Sequence, residues 1–372
     1  MRNSWPRTRL AARLGIEYPL IQGPLGGLSS QRLAAAVSNF GGLGSFGAHT
    51  RPPEAIPDLV DELRSMTSRP FAVNLWVSME DPGAREAGPA DFARSLGPIA
   101  PHLAELGIAT PDHAPYQPQS FEQQAEALIR SGAPVFSFIF GVPSWEILDE
   151  CRTRKIITIG TATTVDEAIA LEEAGVDAIA ASGFEGGGHR GSFLDRAEES
   201  LIGTMALVPQ VVDAVTVPVI AAGGIGDARG VVAALALGAE GVQMGTAFLA
   251  SDDSGASEVH RRALRSAEAQ HTGLTRGFTG RLARGIHNRL MEELNRPGAP
   301  YLPYPLQRAL IRNLAVPADA AGRTDLLPLW AGQAARLPTN PDAADFLRQL
   351  VAEVGAIAGP VTHWSTARRS AR

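Results

Sequence analysis

The sequence predicts a (β/α)8 TIM barrel, an α/β fold, with an additional helical segment near the barrel mouth. Three observations point there. Eight short apolar runs recur from about residue 18 to 250, helix-like segments lie between them, and glycine-rich turns follow several of the runs. Continuous apolar strands alternating with helices indicate a parallel sheet covered by helices. Eight such units suit a closed barrel better than an open sheet.

The runs are Tyr18–Gln22, Leu43–Phe46, Phe71–Trp76, Pro134–Phe140, Ile156–Gly160, Val176–Ala181, Val217–Ala222 and Gly241–Phe248. Between them, Gln31–Asn39, Thr164–Ala174 and Asp227–Leu237 carry a helical pattern. Residues 77–133, rich in Pro, Gly and Ala, interrupt the repeat after the third run, and the weak run Gly107–Ala109 within them reads as an extra strand. From 255 to 335 the pattern turns helical and polar, with Arg261, Arg262, Arg265, Arg276, Arg281, Arg284 and Arg289. The expected organisation is a barrel over 1–254 and a helical appendage over 255–335. Residues 336–372 then hold a closing helix, Asp342–Val354, and a frayed tail.

The chain has 372 residues, is 45% hydrophobic and carries a formal net charge of -6, with no basic run. That balance argues against nucleic acid or an anionic membrane as the main partner. The single cysteine, Cys151, follows Trp145, Ile147 and Leu148 on a helical pattern and reads as a buried structural thiol. One cysteine, no signal-peptide core and no 18-residue apolar span lead to the expectation of a soluble, cytoplasmic protein.

The densest chemical signal is Ala181-Ser182-Gly183-Phe184-Glu185-Gly186-Gly187-Gly188-His189-Arg190-Gly191, directly after the sixth run. Its glycines let a backbone turn sharply and approach a ligand, and it delivers an imidazole and a guanidinium together. His189 is read as catalytic, because a neutral imidazole takes a proton at physiological pH. The bland reading is a histidine bonded to a backbone carbonyl. Glu185 either fixes the loop or is solvated.

Two further glycine turns, Ala221-Ala222-Gly223-Gly224-Ile225-Gly226 and Gln243-Met244-Gly245-Thr246-Ala247, follow the last two runs. At consecutive barrel strands, such turns bind phosphate through backbone N–H groups, which a Cβ would hold at a distance. Thr246 adds a hydroxyl. The alternative is that the glycines only close tight turns. Gly42-Leu43-Gly44-Ser45-Phe46-Gly47 matches the dinucleotide fingerprint by letter but lies within and after a strand, so barrel-rim packing explains it better. The eight histidines show no paired metal-ligand spacing, so no metal site is expected. Asn74 sits inside an apolar strand and needs a partner, since an unpaired buried amide costs about 1–3 kcal/mol. Gln22 raises the same question.

These residues together resemble the nitronate monooxygenase family, once called 2-nitropropane dioxygenases. The resemblance runs in order through Tyr18–Leu25, Phe71–Leu75, Glu185–Gly191, Ala221–Ile225, Gly241–Phe248, Gly280–Gly285 and Leu329–Gln333. It implies an FMN-dependent TIM barrel that oxidises alkyl nitronates with O2 to a carbonyl compound and nitrite. The implied base falls on His189. The implied flavin contacts fall on Gly23, Pro24, Leu25, Asn74, Gly187, Gly223, Gly224, Gln243, Met244, Gly245 and Thr246. Ser182 stands where many relatives place a flavin-contacting glutamine, Leu25 replaces a usual methionine, and Ile139 occupies a position often held by histidine. The expected partners are a nitronate or nitroalkane and O2, and a homodimer is an assembly open to the chain. The rival reading is an NAD(P)H-dependent flavin reductase of the same barrel group, acting on enoyl thioesters or quinones.

Overall fold

A computed structural model describes residues 5–113, 119–337 and 341–361. Eight parallel strands form the barrel: β1 (Leu20–Gln22), β2 (Gly44–Gly47), β3 (Phe71–Trp76), β4 (Val135–Ile139), β5 (Ile157–Ala162), β6 (Ala178–Ser182), β8 (Val219–Ala222) and β9 (Gly241–Met244). A two-residue strand, β7 (Gly188–His189), lies outside it. The barrel order is β1-β9-β8-β6-β5-β4-β3-β2, and the parallel bridge Ile21↔Leu43 closes it.

Strand alternation divides the barrel residues into two sets. Leu20, Phe71, Val73, Leu75, Phe136, Phe138, Ile179, Ala181, Val219, Ala221, Val242 and Met244 face the surrounding helices. Ile21, Leu43, Ala72, Val135, Ile159, Ala178, Ala180 and Ile220 fill the interior, where Leu10 and Leu14 of the helix Arg9–Leu14 plug the lower end. Helices expected from the sequence form at Gln31–Phe40, Val165–Glu173 and Ala228–Ala236. Ser30, Thr164 and Asp227 cap their N-termini through side-chain acceptors. The closing helix runs Ala343–Val361; the expected frayed tail falls mostly outside the described residues.

Barrel-rim packing accounts for Gly42–Gly47. A Cβ on Gly44 would stand 1.8 Å from the Ala34 carbonyl oxygen, and one on Gly47 2.8 Å from that of Pro24. Cys151 is fully buried, and burial pushes its thiol up to about 12, which leaves it an inert core group.

Two expectations are corrected. Gly107–Ala109 is no strand: Gly107 ends the helix Ala100–Glu105 with φ of 69°, and the residues after it reach no strand edge. Residues 77–113 and 119–133 instead hold the helices Pro89–Leu96, Ala100–Glu105 and Phe121–Ser131. The appendage is not purely helical either. Besides the helices Glu258–Leu264, Arg289–Leu294 and Leu306–Ala320 it contains β10 (Thr272–Thr275) and β11 (Ala283–Ile286), an antiparallel pair. β11 also pairs with β7, setting Ala283 against His189. Arginine-rich sequence masked this ribbon, and two of those arginines, Arg281 and Arg284, are buried rather than solvated.

Candidate active site

Above the apolar interior layer, the inward positions turn polar. By the same alternation, Asn74, Ser137, Ser182 and Gln243 face the barrel axis at its C-terminal end, where such barrels place their chemistry. Asn74 donates to Ser137 Oγ at 3.1 Å, so the partner it requires is at least partly a protein group. The Gln243 amide meets no hydrogen-bonding partner among the described residues. Gln22 is fully occupied: its amide donates to the Gly23 and Ser45 carbonyls and accepts from Ser45 N. It clips β1 to β2 and takes no part in the site.

The glycine loops around this floor press backbone on backbone. A Cβ on Gly187 would stand 2.6 Å from Gly332 N, and one on Gly223, at φ of 100°, 2.7 Å from the Gly183 carbonyl oxygen. Gly23 donates to the Met244 carbonyl at 2.7 Å, which brings Gly23, Pro24 and Leu25 beside Gly245. Gly332 N donates to Thr246 Oγ1 at 2.9 Å. The Glu185 carboxylate accepts from Thr204 N and from Thr204 Oγ1 at 2.9 Å, so it fixes the loop. The N–H groups of Gly223, Gly224, Gly245 and Thr246 find no acceptor among the described residues. They stand in the turns after adjoining strands, where unpaired backbone N–H groups suit a phosphate.

Arg190, beside His189, belongs to the scaffold. It is buried and donates to the carbonyls of Ser182, Thr163 and Ser200 and to Ser200 Oγ, and burial pushes its guanidinium down to about 10. It ties β7 to the ends of β5 and β6.

His189 enters an aromatic chamber on the opposite side. Its ring centroid lies 5.0 Å from Trp76, 5.4 Å from Trp330, 6.1 Å from Tyr304 and 6.2 Å from Phe140. Trp76 stacks face to face on the buried His49 at 3.9 Å. Arg281 packs against Phe140 at 4.3 Å and Tyr304 at 4.4 Å, within cation–π range. Its charge is met by Asp81 Oδ1 at 2.7 Å, and it also donates to Ser78 O and Oγ.

His189 Nε2 lies 2.9 Å from Thr279 Oγ1, and that hydroxyl donates to the Arg281 carbonyl at 3.2 Å. This contact occupies Nε2 and leaves Nδ1 of His189 without a hydrogen-bond partner among the described residues. Burial, then the charges of Arg281 and Arg308, push the imidazole down to about 3. His49 is likewise pushed well below its ordinary value, by burial first and then by Arg308, His189 and Arg281. Both rings are neutral at physiological pH.

The nitronate monooxygenase family model matches residues 7–353. This chain belongs to the nitronate monooxygenase family. A probable nitronate monooxygenase from Staphylococcus aureus (strain Newman) is 41% identical over 354 residues, covering 95% of this chain and 99% of the relative. The structure of a nitroalkane oxidase from Streptomyces ansochromogenes superposes with a TM-score of 0.85 at 37% identity, covering 94% of this chain and 99% of that one. FabK from Thermotoga maritima superposes with a TM-score of 0.74 at 28% identity, covering 95% and 98%. The protein is thus an oxidoreductase, and the cofactor of this family is FMN. No helix among the described residues is long and apolar enough to cross a membrane.

The structure brings Gly23, Pro24, Leu25, Gly187, Gly223, Gly224, Gly245 and Thr246 to one rim, with Asn74, Ser182 and Gln243 on the floor beneath. Met244 differs: its side chain is buried among the outer helices, so only its backbone faces the rim. Ile139 fills space under the loop, since a Cβ on Gly191 would stand 2.4 Å from its Cδ1. Sequence reading missed His49, Trp76, Thr279, Tyr304 and Arg308. Trp76 carried a signal, a large aromatic ending a barrel strand; the others converge from loops and the appendage with no diagnostic spacing.

Proposed function

We propose that this enzyme oxidises alkyl nitronates with O2, yielding the carbonyl compound and nitrite. In this reading His189 is the base toward neutral nitroalkanes, and Nδ1 donates to the nitronate only once it carries the abstracted proton. The observation that carries the proposal is the free Nδ1 of a neutral imidazole, oriented by Thr279, at the edge of a chamber bearing two guanidinium ions. FMN, when bound, supplies the redox chemistry that no side chain here can. The cradle N–H groups of Gly223, Gly224, Gly245 and Thr246 fit its phosphate, with the Thr246 hydroxyl beside them. Asn74, Ser182 and Gln243, with the backbone of Gly23, Pro24, Leu25, Met244 and Gly187, would border the rest of the cofactor.

The two guanidinium ions oppose formation of an imidazolium, so a proton drawn from carbon is poorly held while the chamber is empty. A bound nitronate offsets that charge. Preformed nitronates are therefore the better substrates, and neutral nitroalkanes depend on His189 more heavily. Steady-state assays of His189→Ala and His189→Gln, each checked for bound FMN, test this. Both should lose neutral-nitroalkane turnover far more than nitronate turnover; equal, small losses on both substrates remove the base assignment.

The FabK likeness favours a second reading, an NAD(P)H-dependent reductase of enoyl thioesters or quinones. Anaerobic mixing with NADPH or NADH separates the two, because only the reductase would bleach rapidly. We place the enzyme in the cytoplasm, where its lone buried thiol stays reduced, and sedimentation of the holoenzyme would test for a homodimer.

A further inference from the structure

We propose that Arg308 is the anion-holding residue of this site: its guanidinium binds the nitronate oxygens and selects anionic over neutral substrates. The proposal rests on the nitronate reading and deepens it.

Arg308 lies in the first turn of the helix Leu306–Ala320 and is half-buried. It reaches from the appendage to the loop after β1, where its Nη2 is 3.7 Å from the place a Cβ on Gly27 would take. Tyr304 lies one turn earlier in the chain, and the Arg308 charge acts on its phenol. The adjoining Gly26 packs on His49, a Cβ there standing 2.6 Å from His49 Cε1, so Arg308 lies on the His49 side of the chamber; its charge acts on both His49 and His189.

The contrast with Arg281 decides its role. Arg281 is buried, paired with Asp81 and saturated by Ser78. Arg308 forms no ion pair among the described residues. The groups facing it are His49 and His189, both neutral, the Tyr304 phenol, and Arg281 with its carboxylate partner. One positive charge is left uncompensated in a partly desolvated space lined with rings, which is unfavourable unless a ligand brings the counter-charge. A nitronate carries one negative charge spread over two coplanar oxygens. That matches the guanidinium fork, which pairs with such anions through two parallel N–H donors.

The test uses the FMN-loaded enzyme. Arg308→Met and Arg308→Lys are compared with the parent for KM and kcat on ethyl nitronate and on neutral nitroethane. Nitrite, an inert monoanion, is titrated into the oxidised enzyme and followed by the flavin spectrum. Arg308→Met should raise the nitronate KM about tenfold or more, as loss of a charged hydrogen bond implies, with a smaller change in kcat. The nitrite dissociation constant should rise in parallel, Arg308→Lys should recover much of both, and the nitroethane KM should move little. Unchanged nitronate KM and nitrite affinity overturn the proposal. So does a shift in flavin potential without either change, which assigns Arg308 to the cofactor. If Arg308→Met fails to fold, Arg308→Lys and Arg308→Gln carry the same comparison. If the parent shows no nitronate turnover, the functional reading fails instead, and the nitrite titration still reports on Arg308.

Discussion

On one side of the barrel mouth, the turns after β6, β8 and β9 press backbone against backbone. On the other, side chains from β3, the loops after β2 and β4, and the appendage press ring against ring. The first side, with Gly187, Gly223, Gly224, Gly245 and Thr246, offers N–H dipoles, with the Glu185 carboxylate bonded beside them. The second, with His49, Trp76, Phe140, His189, Arg281, Tyr304 and Arg308, offers cations, neutral imidazoles and a desolvated space. On the proposed function, the division separates holding a cofactor from handling a substrate. Loss of a glycine should act on FMN content, whereas loss of a chamber side chain should act on turnover with FMN retained.

The largest expected effect lies on the chamber side. His189→Ala should lower neutral-nitroalkane kcat by about 10²–10⁴, the usual worth of a general base, with FMN content measured by absorbance unchanged. Loss of the cofactor in that variant would break the division.

Buried imidazoles should also shape the response to acid. Above pH 6.5 the folded and unfolded chains both hold these imidazoles neutral. As pH falls below 6.5 the unfolded chain takes up protons, while His189 stays neutral down to about 3 and the buried His260 down to about 4, each held low chiefly by burial. Stability is therefore full above pH 6.5 and is lost as pH falls toward 4. For His260 alone this loss is on the order of 3 kcal/mol. Thermal melts across pH 4–7 check it: Tm should drop steadily on acidification, and His260→Gln should flatten part of the slope.

On the cradle side, Gly223→Ala forces a non-glycine residue to φ of 100° and sets its Cβ 2.7 Å from the Gly183 carbonyl oxygen. A cost of about 1–3 kcal/mol is expected. It should appear as weaker FMN retention on dialysis, with turnover per bound FMN nearly preserved. The smallest effect should come from Thr279→Val, which removes the hydroxyl that orients His189. About 1 kcal/mol of lost hydrogen bonding predicts a several-fold fall in neutral-nitroalkane kcat/KM, and a fall of equal size for nitronates would show that Thr279 does not act through the base.

The two sides also differ in how far the sequence disclosed them. The cradle is local: each glycine turn directly follows an apolar strand, so Gly223, Gly224, Gly245 and Thr246 could be placed at the rim from spacing alone. The strands were equally legible, because parallel barrel strands are unbroken apolar runs. The chamber is not local. His189 is pinned by β11, a strand 94 positions further along that lies within arginine-rich sequence. Tyr304 and Arg308 arrive from a helix start that no motif marks. Single side chains were not legible from position alone. Arg190 shares a loop with His189 and is a strut between strand ends, and the Met244 side chain shares a turn with Thr246 yet points into the core.

Anaerobic mixing of the oxidised, FMN-containing enzyme with an alkyl nitronate, and separately with NADPH, bears most directly on the claim that this chamber receives nitronates. Rapid loss of flavin absorbance is expected with the nitronate and none with NADPH. Bleaching by NADPH together with no response to the nitronate would contradict it.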